Sequence, residues 1–412
     1  MGRLLKPAGA TALALATVLA LVSAPRVHAD ELDLSVDLRA VSSDATTSRL
    51  NGGLGTLRYD AQHDGLRLGY VRLGYRGELA PTVRVVAEAV AYGDHDVNAL
   101  DLTEAYADWR PFPSGAWRSR VKVGAFYPEI SLENRMRGWR SPYTLTYSAV
   151  NTWIGEELRT IGGEYSLDWL GLANGHSWEA SASVAAFGWN DPAGTVLATR
   201  GWGMTDRQGT LFGRFANGGQ PFGSRTVFYD DLDKRPGYYA SGVLKWRGLL
   251  ELRALHYDNR ARLGVEAPQI RDATWLTRFE SVGLRLTPSE HLTLVGQWLH
   301  GRTFEDQLPN RNAWSYAGSF ALASWKQGPW RWSARWDRFD VRQTESSFEY
   351  LPFLTASDGH AWTASVDRAL GEHWHATVEC VRSDSSNLLR PYLGQAVAQR
   401  EQQWQLALRW ER

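Results

Sequence analysis

Apolar and polar residues alternate along most of this chain, with a period of two. Apolar residues occupy every second position of the segment 31–41, and polar residues fill most positions between them. The same alternation recurs in the segments 83–91, 178–184, 292–298, 314–322, 330–336 and 404–410. A half-buried β-strand is the regular structure that fits this period, and no helical period of comparable length competes with it. The pattern therefore predicts an all-β chain.

The connections between the predicted strands alternate between short and long. Seven are short and carry turn residues such as Pro81, Gly248 and Gly371. Eight are long, at 42–64, 94–100, 127–156, 190–236, 259–273, 301–311, 343–358 and 384–401. Sixteen strands joined in this way begin and end on the short-turn side, which is the periplasmic side of bacterial outer-membrane barrels. We therefore predict a closed antiparallel transmembrane β-barrel of about 16 strands, whose apolar alternate residues face lipid. An extra strand at 209–215 would change the count, and 14 or 18 strands are the alternatives.

Tryptophan is frequent, with 20 residues in a chain of 412 and a mean hydropathy of −0.37. Eight tryptophans lie beside predicted short turns, where they would form an aromatic girdle at the periplasmic interface. They are Trp109, Trp117, Trp169, Trp178, Trp246, Trp325, Trp330 and Trp374. Tryptophan in the core of a soluble protein is the alternative, which the placement beside successive turns disfavours.

The first 29 residues have the three parts of a secretory signal peptide. Arg3 and Lys6 precede an apolar run that ends at Val22, and the small residue Ala29 supplies a cleavage site before Asp30. The run has about fifteen residues, fewer than the roughly twenty of a spanning helix, so an uncleaved anchor is the weaker alternative. We expect residues 1–29 to be removed and residues 30–412 to form one barrel in the cell outer membrane.

The charge balance and the cysteine content argue against nucleic-acid binding and against an internal disulfide. The chain has 45 basic and 45 acidic residues, and removal of the signal peptide leaves 42 against 45. Because there is no basic surplus, nothing points to nucleic acid. The single cysteine, Cys380, cannot form an internal disulfide, and we interpret it as a small apolar residue. We expect no cofactor and no structural metal.

A barrel of about 16 strands leaves an aqueous lumen, so the predicted function is passive diffusion of small hydrophilic solutes, without enzymatic activity. The loop 127–156 combines both charge signs with proline and aromatic residues, and we expect it to fold inward as a constriction. Three cations alternate on the preceding strand, face the lumen by parity and would favour anions. The predicted pore-lining and selectivity residues are Arg118, Arg120, Lys122, Glu129, Glu133, Arg135, Arg137, Arg140 and Arg159.

Parity places a further set of charged residues of both signs in the lumen, where they would form ion pairs across a polar wall. These are Arg84, Arg253, Arg331, Arg335, Arg409, Asp33, Asp37, Glu88, Glu179, Glu251, Asp337 and Glu379.

Two other function classes stay open. A solute-specific channel for a sugar or an aromatic acid would use Trp and Tyr as a stacking path. An enzyme at the barrel rim, a protease or lipid hydrolase, would need a histidine with an acid, for which His256 and the group Asp94, His95, Asp96 are candidates. That group and Asp230, Asp231, Asp233 are also weak candidates for a cation, since neither has the spacing of a calcium loop.

The stretch Asp101–Arg137 resembles the phosphate-selective porins of the O and P type. Leu102, Glu104, Ala105, Tyr106 and Ala107 lie on one predicted strand, and Val121–Pro128 reads Val-Lys-Val-Gly-Ala-Phe-Tyr-Pro on the next. In that family a similar acidic-Ala-Tyr strand precedes a strand ending in Val-Gly-x-Phe and then the pore-lining loop. The resemblance implies a sixteen-stranded homotrimeric anion channel. The chain departs from the family in having few lysines and in ending Trp410, Glu411, Arg412 rather than on an aromatic residue.

Overall fold

Sixteen antiparallel strands form the framework of the protein. The computed structural model describes residues 31–93, 100–216, 225–267, 272–307, 310–346 and 355–412. The predicted signal peptide and the group Asp94, His95, Asp96 lie outside these residues. The barrel strands are β1 (Glu31–Ser43), β2 (Gly65–Ala80), β3 (Val83–Ala91), β4 (Asp101–Trp109), β5 (Trp117–Phe126), β6 (Thr160–Trp169), β7 (Trp178–Gly188), β8 (Gly237–Trp246), β9 (Leu250–Asp258), β10 (Trp275–Leu286), β11 (Leu292–Gln307), β12 (Asn310–Gln327), β13 (Trp330–Glu345), β14 (Ala356–Ala369), β15 (Trp374–Asn387) and β16 (Ala398–Glu411).

Each strand pairs with its neighbours in chain order, and the last strand returns to the first. β1 pairs with β2 on one side and with β16 on the other, with Val36 opposite Trp410, so the sheet closes on itself. The predicted sixteen-stranded closed barrel is confirmed. Glu31 and Glu411, the ends of the first and last strands, lie at the rim that carries the short turns.

Two helices lie within the long loops, α1 (Ala149–Glu157) between β5 and β6 and α2 (Thr195–Arg200) between β7 and β8. The Ser148 side chain caps α1 by accepting a hydrogen bond from the Asn151 N–H. Two short ribbons lie outside the barrel order: Arg214–Ala216 pairs with Arg225–Val227, and Glu266–Ala267 with Asp272–Ala273. The segment 209–215 therefore adds no barrel strand. No helix in the described ranges is long and apolar enough to span a membrane.

The outer face of the barrel is apolar and edged with aromatic residues. Six of the eight tryptophans predicted for the periplasmic girdle are exposed on this face, and Trp169 and Trp246 are half-buried. Trp298, Trp362 and Trp404 are exposed nearer the rim of long loops. Cys380 also lies on the outer face of β15, as a half-buried free cysteine. An apolar outer face edged with aromatic residues is the surface that a membrane-spanning barrel presents to lipid.

Parity assigns the charged lumen residues correctly. Seven of them are buried inside the barrel while their chain neighbours on the outer face are more exposed: Asp33, Asp37, Glu88, Glu251, Arg335, Asp337 and Glu379. Glu179, Arg253, Arg331 and Arg409 follow the same alternation on their strands, whereas Arg84, near the short-turn end of β3, is exposed.

One strand has the opposite facing from that expected. The apolar residues of the segment 314–322 were expected to face lipid, but Trp314, Tyr316, Phe320 and Leu322 are buried inside the barrel. Small residues such as Ala321 occupy the outer face of β12 instead. The reason is that the lumen beside β12 contains apolar loop residues rather than water, so apolar side chains gain more by facing inward.

The expected loop 301–311 is also wrong in extent. β11 continues to Gln307 and β12 begins at Asn310, with sixteen residue pairs in register between them. The pairing of Arg302 with Ser315 and of Glu305 with Asn312 belongs to a hairpin that rises beyond the apolar band. Polar residues can continue a ladder into water, so the change in composition did not mark the end of the strand.

Candidate functional site

The loop between β5 and β6, residues 127–159, lies inside the barrel and is here called the plug loop. All nine residues of its helix α1 are buried, and most of the loop is buried with them. The plug loop contacts strands on opposite sides of the barrel wall: Arg137 pairs with Glu31 of β1, and Arg135 pairs with Glu251 of β9, eight strands away in a barrel of sixteen. It therefore crosses the lumen. The sequence placed this segment at 127–156 and gave no signal for its helix.

Arg335 of β13 is the main anchor of the plug loop. Its guanidinium donates to the carboxylate of Glu133 at 2.6 Å and to the carbonyls of Thr146 at 2.8 Å and Tyr147 at 3.0 Å. The side chains of Arg335 and Glu133 are fully buried, and Asp337 accepts a further hydrogen bond at 2.7 Å. Such a pair stabilises a structure only when every donor is satisfied, which is the case for this guanidinium.

Two wall carboxylates bind backbone N–H groups of the plug loop. Glu379 of β15 accepts from Leu145 N at 2.6 Å and from Thr146 N at 2.9 Å. Asp337 accepts from Ala149 N at 3.1 Å, at the amino end of α1, where a negative charge also interacts favourably with the helix dipole. Two of the carboxylates that parity assigned to the lumen wall, Asp337 and Glu379, are thus ligands of the plug loop rather than free charges.

The opposite side of the plug loop is held by its own arginines. Arg140 donates to the Tyr70 hydroxyl at 2.8 Å and to Glu411 at 2.7 Å. Arg137 pairs with Glu31 and lies 3.5 Å from Asp33, and Arg135 pairs with Glu251 at 2.7 Å. The side chains of Arg135 and Arg137 are still 37% and 46% exposed, so they face open space beneath the loop.

The three cations of β5 each have acidic partners. Arg118 pairs with Asp168 at 3.0 Å, and Arg120 pairs with Asp108 at 2.8 Å. Glu129 of the plug loop accepts from Arg120 at 2.8 Å and from Lys122 at 2.9 Å. The predicted basic ladder is therefore a set of ion pairs that joins the wall to the beginning of the plug loop.

Arg159, at the end of the plug loop, is buried rather than open to the lumen. Its guanidinium stacks 3.4 Å from the centre of the Tyr127 ring and donates to the carbonyls of Leu158 at 2.9 Å and Gly209 at 2.7 Å. It closes the base of the loop, so its contacts are structural.

The plug loop and the loop between β7 and β8 share an apolar core with the wall. The Trp153 ring of α1 lies 5.3 Å from Phe279, 5.2 Å from Tyr316 and 6.2 Å from Trp202. Gly318 of β12 leaves room for this packing, because a Cβ there would lie 2.9 Å from the side chains of Trp202 and Val150. The aromatic residues that might have formed a stacking path pack against one another.

The loop between β1 and β2 and the loop between β7 and β8 also fill the lumen. Nothing in the sequence pattern placed them there. Asp206, between β7 and β8, pairs with Arg39 of β1 at 2.5 Å and with Arg58 of the β1–β2 loop at 2.8 Å. Burial alone would raise the pKa of Asp206, but the two guanidiniums lower it to about 2. Arg49 pairs with Glu156 of α1 at 2.5 Å. These contacts join residues more than one hundred positions apart, so no local pattern could have revealed them.

Glu157 at the end of α1 is a buried carboxyl that forms no ion pair with a cationic side chain among the described residues. Burial raises its pKa to about 8, although the Val196 N–H and the Trp153 indole N–H donate to it at 2.9 Å and 2.5 Å. The neighbouring Glu156 raises the pKa further and Arg49 opposes it. Glu157 is therefore mostly protonated at neutral pH.

A small polar cavity remains beside the plug loop, on the side of β2 to β4. Arg72, Tyr92, Thr103, Arg140 and Gln208 are among its lining residues, and its volume is about 10 Å³. A cavity of this size has room for roughly one water molecule. The plug loop and its neighbours thus leave little open space at this level of the lumen.

The residues considered for catalysis or cation binding make other contacts. His256 lies on the outer face of β9, 3.0 Å from Glu280 and 3.5 Å from the Tyr238 hydroxyl. Asp231 and Asp233 approach the buried Asp191, but the three carboxylates accept backbone N–H groups of their own loops. Asp94, His95 and Asp96 lie outside the described residues.

No protein-family model and no curated protein sequence matches this chain. Solved structures match it over nearly its whole length. The outer-membrane channel DcaP of Acinetobacter baumannii is 10% identical with a TM-score of 0.56, covering 94% of this chain and 99% of its own. OmpF of Salmonella typhi, solved in complex with daunomycin, is 10% identical with a TM-score of 0.53, covering 93% and 97%. An anion-selective porin from Comamonas acidovorans is 12% identical over 93% and 99%, but its TM-score of 0.49 supports no argument.

The comparisons agree with the geometry at the level of the fold. DcaP is an outer-membrane channel by its description, and the present chain has a closed sixteen-stranded barrel with an apolar outer band. The protein is an outer-membrane β-barrel. At 10% identity the likeness does not extend to a solute.

Proposed function

We propose that this protein is an outer-membrane channel through which small hydrophilic solutes diffuse passively, with the plug loop as its constriction. The observation that carries the proposal is a charged loop held across the lumen by ion pairs to opposite walls. A constriction with both charge signs orders water and favours polar over apolar solutes. The mechanism needs no ATP and no cofactor.

The same geometry weakens the case for anion preference, including the preference for phosphate that the resemblance implies. Every cation of β5 and each of Arg135, Arg137 and Arg140 has an acidic partner. A paired cation attracts a passing anion less than a free one does, because its partner cancels most of the field. We therefore propose a channel of weak charge selectivity.

Two further parts of the proposal concern export and assembly. We propose that residues 1–29 are removed during export, so that the amino-terminal sequence of the mature protein begins at Asp30. We also propose the homotrimer that the resemblance implies, which the native mass of the protein in mild detergent would measure. A monomeric mass would contradict the trimer and leave the channel proposal unaffected.

Single-channel recording in planar bilayers tests the channel. The wild-type protein is expected to give stepwise conductance that is small for a sixteen-stranded barrel. Glu133→Ala removes the acceptor of Arg335 and of two groups of α1, and breaking such a buried pair costs about 3–5 kcal/mol. The variant should therefore hold its plug loop less firmly and conduct more.

Glu179→Ala is the matched control. It also removes a lumen carboxylate, but Glu179 pairs with Lys245 at 3.0 Å and, in the described part of the chain, makes no hydrogen bond or ion pair with the plug loop. Its conductance should stay close to that of the wild type. If folded, heat-modifiable wild-type and Glu133→Ala proteins both fail to conduct, the channel proposal is wrong.

A further inference from the structure

A groove lies on the outer surface of the barrel where β13 and β14 approach the rim of long loops. Its volume is about 480 Å³, and its lining includes Trp336, Arg338, Asp340, Asp358, His360 and Trp362. These residues alternate along their strands with residues that are buried in the lumen, such as Asp337 and Ala361. The groove therefore faces the membrane and its surface and is separate from the constriction.

The register of the two strands places side chains of the same kind directly opposite each other. Trp336 lies opposite Trp362, Arg338 opposite His360, and Asp340 opposite Asp358. Side chains directly opposite on antiparallel strands have Cβ atoms roughly 4.5–5.5 Å apart. From the membrane outward, the groove thus presents an aromatic pair, a basic pair and an acidic pair.

The basic pair has the character of an anion site. Like charges placed directly opposite destabilise a sheet unless a counter-ion lies between them. Among the described residues the Arg338 side chain makes no ion pair or hydrogen bond, and His360 has one acidic partner, Asp384, with 3.9 Å between His360 Nε2 and the Asp384 carboxylate. Guanidinium and imidazolium N–H groups are strong donors to phosphate oxygens.

The height of the basic pair identifies the source of the phosphate. Eight residues separate Arg338 from Trp330 of the periplasmic girdle, which is about 27 Å along a strand and roughly 21 Å across the membrane at the usual tilt. The apolar band of such barrels is about 25 Å tall. The Cα atoms of Arg338 and His360 therefore lie roughly 4 Å below the outer edge of the apolar band, within reach of the headgroups for a long side chain, and Trp336 and Trp362 lie at the depth of the acyl chains.

We propose that this groove binds the phosphorylated headgroup of an outer-leaflet glycolipid. Arg338 and His360 hold the phosphate, and the two tryptophans contact its first acyl chain. The acidic pair above would repel a bare anion, but phosphorylated glycolipids carry divalent cations, for which carboxylate oxygens are favoured ligands. The oxygens of Asp340 and Asp358 lie where such an accompanying cation would sit; Ser386 donates to Asp358 at 2.6 Å, and Arg342 lies 4.0 Å from the Asp340 carboxylate.

Native mass spectrometry of the full-length protein with added diphosphorylated lipid A measures this binding. The double variant Arg338→Ala/His360→Ala should bind the lipid about tenfold more weakly, the effect of losing roughly one charge-assisted hydrogen bond. Arg368→Ala/His373→Ala is the matched control. It removes one arginine and one histidine from the periplasmic end of the same strand and the turn after it, and it should bind as the wild type does.

Two lipid probes and one ion separate the alternatives. The double variant Arg338→Ala/His360→Ala is called the groove variant. Dephosphorylated lipid A should bind the wild-type protein weakly, as diphosphorylated lipid A binds the groove variant. A chelator of divalent cations should weaken the binding of diphosphorylated lipid A to the wild-type protein. Equal binding of the two lipids would overturn the phosphate assignment. Complete competition by millimolar inorganic phosphate would show a site for free phosphate instead of lipid. Binding that the chelator leaves unchanged would contradict the role of the acidic pair.

Oligomeric mass and conductance complete the test. If the groove variant loses subunits but keeps its lipid, the groove is an interface between copies of this chain, and the proposal is wrong. Heat-modifiable mobility in gels shows that the variant is folded. Because the groove lies outside the lumen, the variant should conduct as the wild type does, so its lipid binding and the channel function can fail independently.

Discussion

At the scale of single residues, the lumen is controlled by buried ionisable groups rather than by exposed charges. Arg335 and Asp206 each lie at the centre of a fully paired network. Glu157 differs from them, because burial keeps it protonated at neutral pH, with a pKa of about 8 against an ordinary value of 4.5. The helix α1 therefore ends on a group whose charge changes close to physiological pH.

This titration predicts a pH-dependent plug. Because the pKa of Glu157 is raised in the folded plug, the folded form binds more protons than a loosened form between pH 4.5 and 8. The stability that this bound proton gives the folded plug loop is fully present below about pH 4.5 and is lost as the pH rises through about 8. Single-channel recordings should show more frequent opening at pH 9 than at pH 6, and Glu157→Gln should lose most of that dependence.

A carboxylate in water provides the control for the pH experiment. Glu290 lies at a periplasmic turn with its side chain 85% exposed, so Glu290→Gln should retain the wild-type dependence. Equal pH dependence in the wild type and in Glu157→Gln would show that another group controls the opening.

At the scale of elements, β12 is defined by what it packs against. Its Trp314, Tyr316, Phe320 and Leu322 face inward because α1, α2 and their loops fill the adjoining lumen with apolar side chains. An alternation with a period of two predicts a strand but not which of its faces points into the lumen, because a shift of one residue exchanges the two faces. The sequence was therefore sufficient for the strand but not for its facing.

A substitution at Gly318 tests whether the packing of the loop helices against the inner face of β12 depends on the space that this glycine leaves. Gly318→Val would place a Cβ 2.9 Å from the side chains of Trp202 and Val150. Overpacking of this kind costs about 1–3 kcal/mol. The expected result is a displaced plug loop and a larger single-channel conductance from a barrel that is still heat-modifiable.

Gly242→Val is the matched control for this substitution. A Cβ at Gly242, on β8, meets nothing closer than 4.0 Å, so the same change in residue type should leave the conductance unaltered. An unaltered conductance in Gly318→Val as well would mean that the helices do not depend on this seat.

At the scale of the whole molecule, alternation and turn spacing were enough to predict the barrel, its strand number and the charged lumen positions. They were not enough for the contacts that hold the plug loop. Glu133 and Arg335 are 202 positions apart, and Leu145 and Glu379 are 234 apart, so their pairing leaves no periodic signal in the chain. Charges that looked free in the sequence are neutralised by partners that only the closed barrel brings near them.

Charge pairing across the molecule predicts weak ionic selectivity. In a tenfold gradient of potassium chloride, the reversal potential of the wild type should lie close to zero, because the lumen cations have acidic partners. Asp168→Asn leaves Arg118 without the carboxylate that lies 3.0 Å from it and should shift the potential towards anion preference. A strong anion preference in the wild type would contradict the charge balance and restore the basic-ladder interpretation.

The long sequence separation of the plug contacts also sets the order of assembly. The plug loop is complete once β6 has been made, but three of its wall partners, Arg335, Glu379 and Glu411, lie on β13, β15 and β16, which are among the last strands of the chain. Contacts between distant segments form slowly, because the intervening chain must be ordered first. We therefore expect the lumen to be still unfilled when the sheet closes at the seam between β1 and β16. The plug loop then takes its place inside the finished barrel.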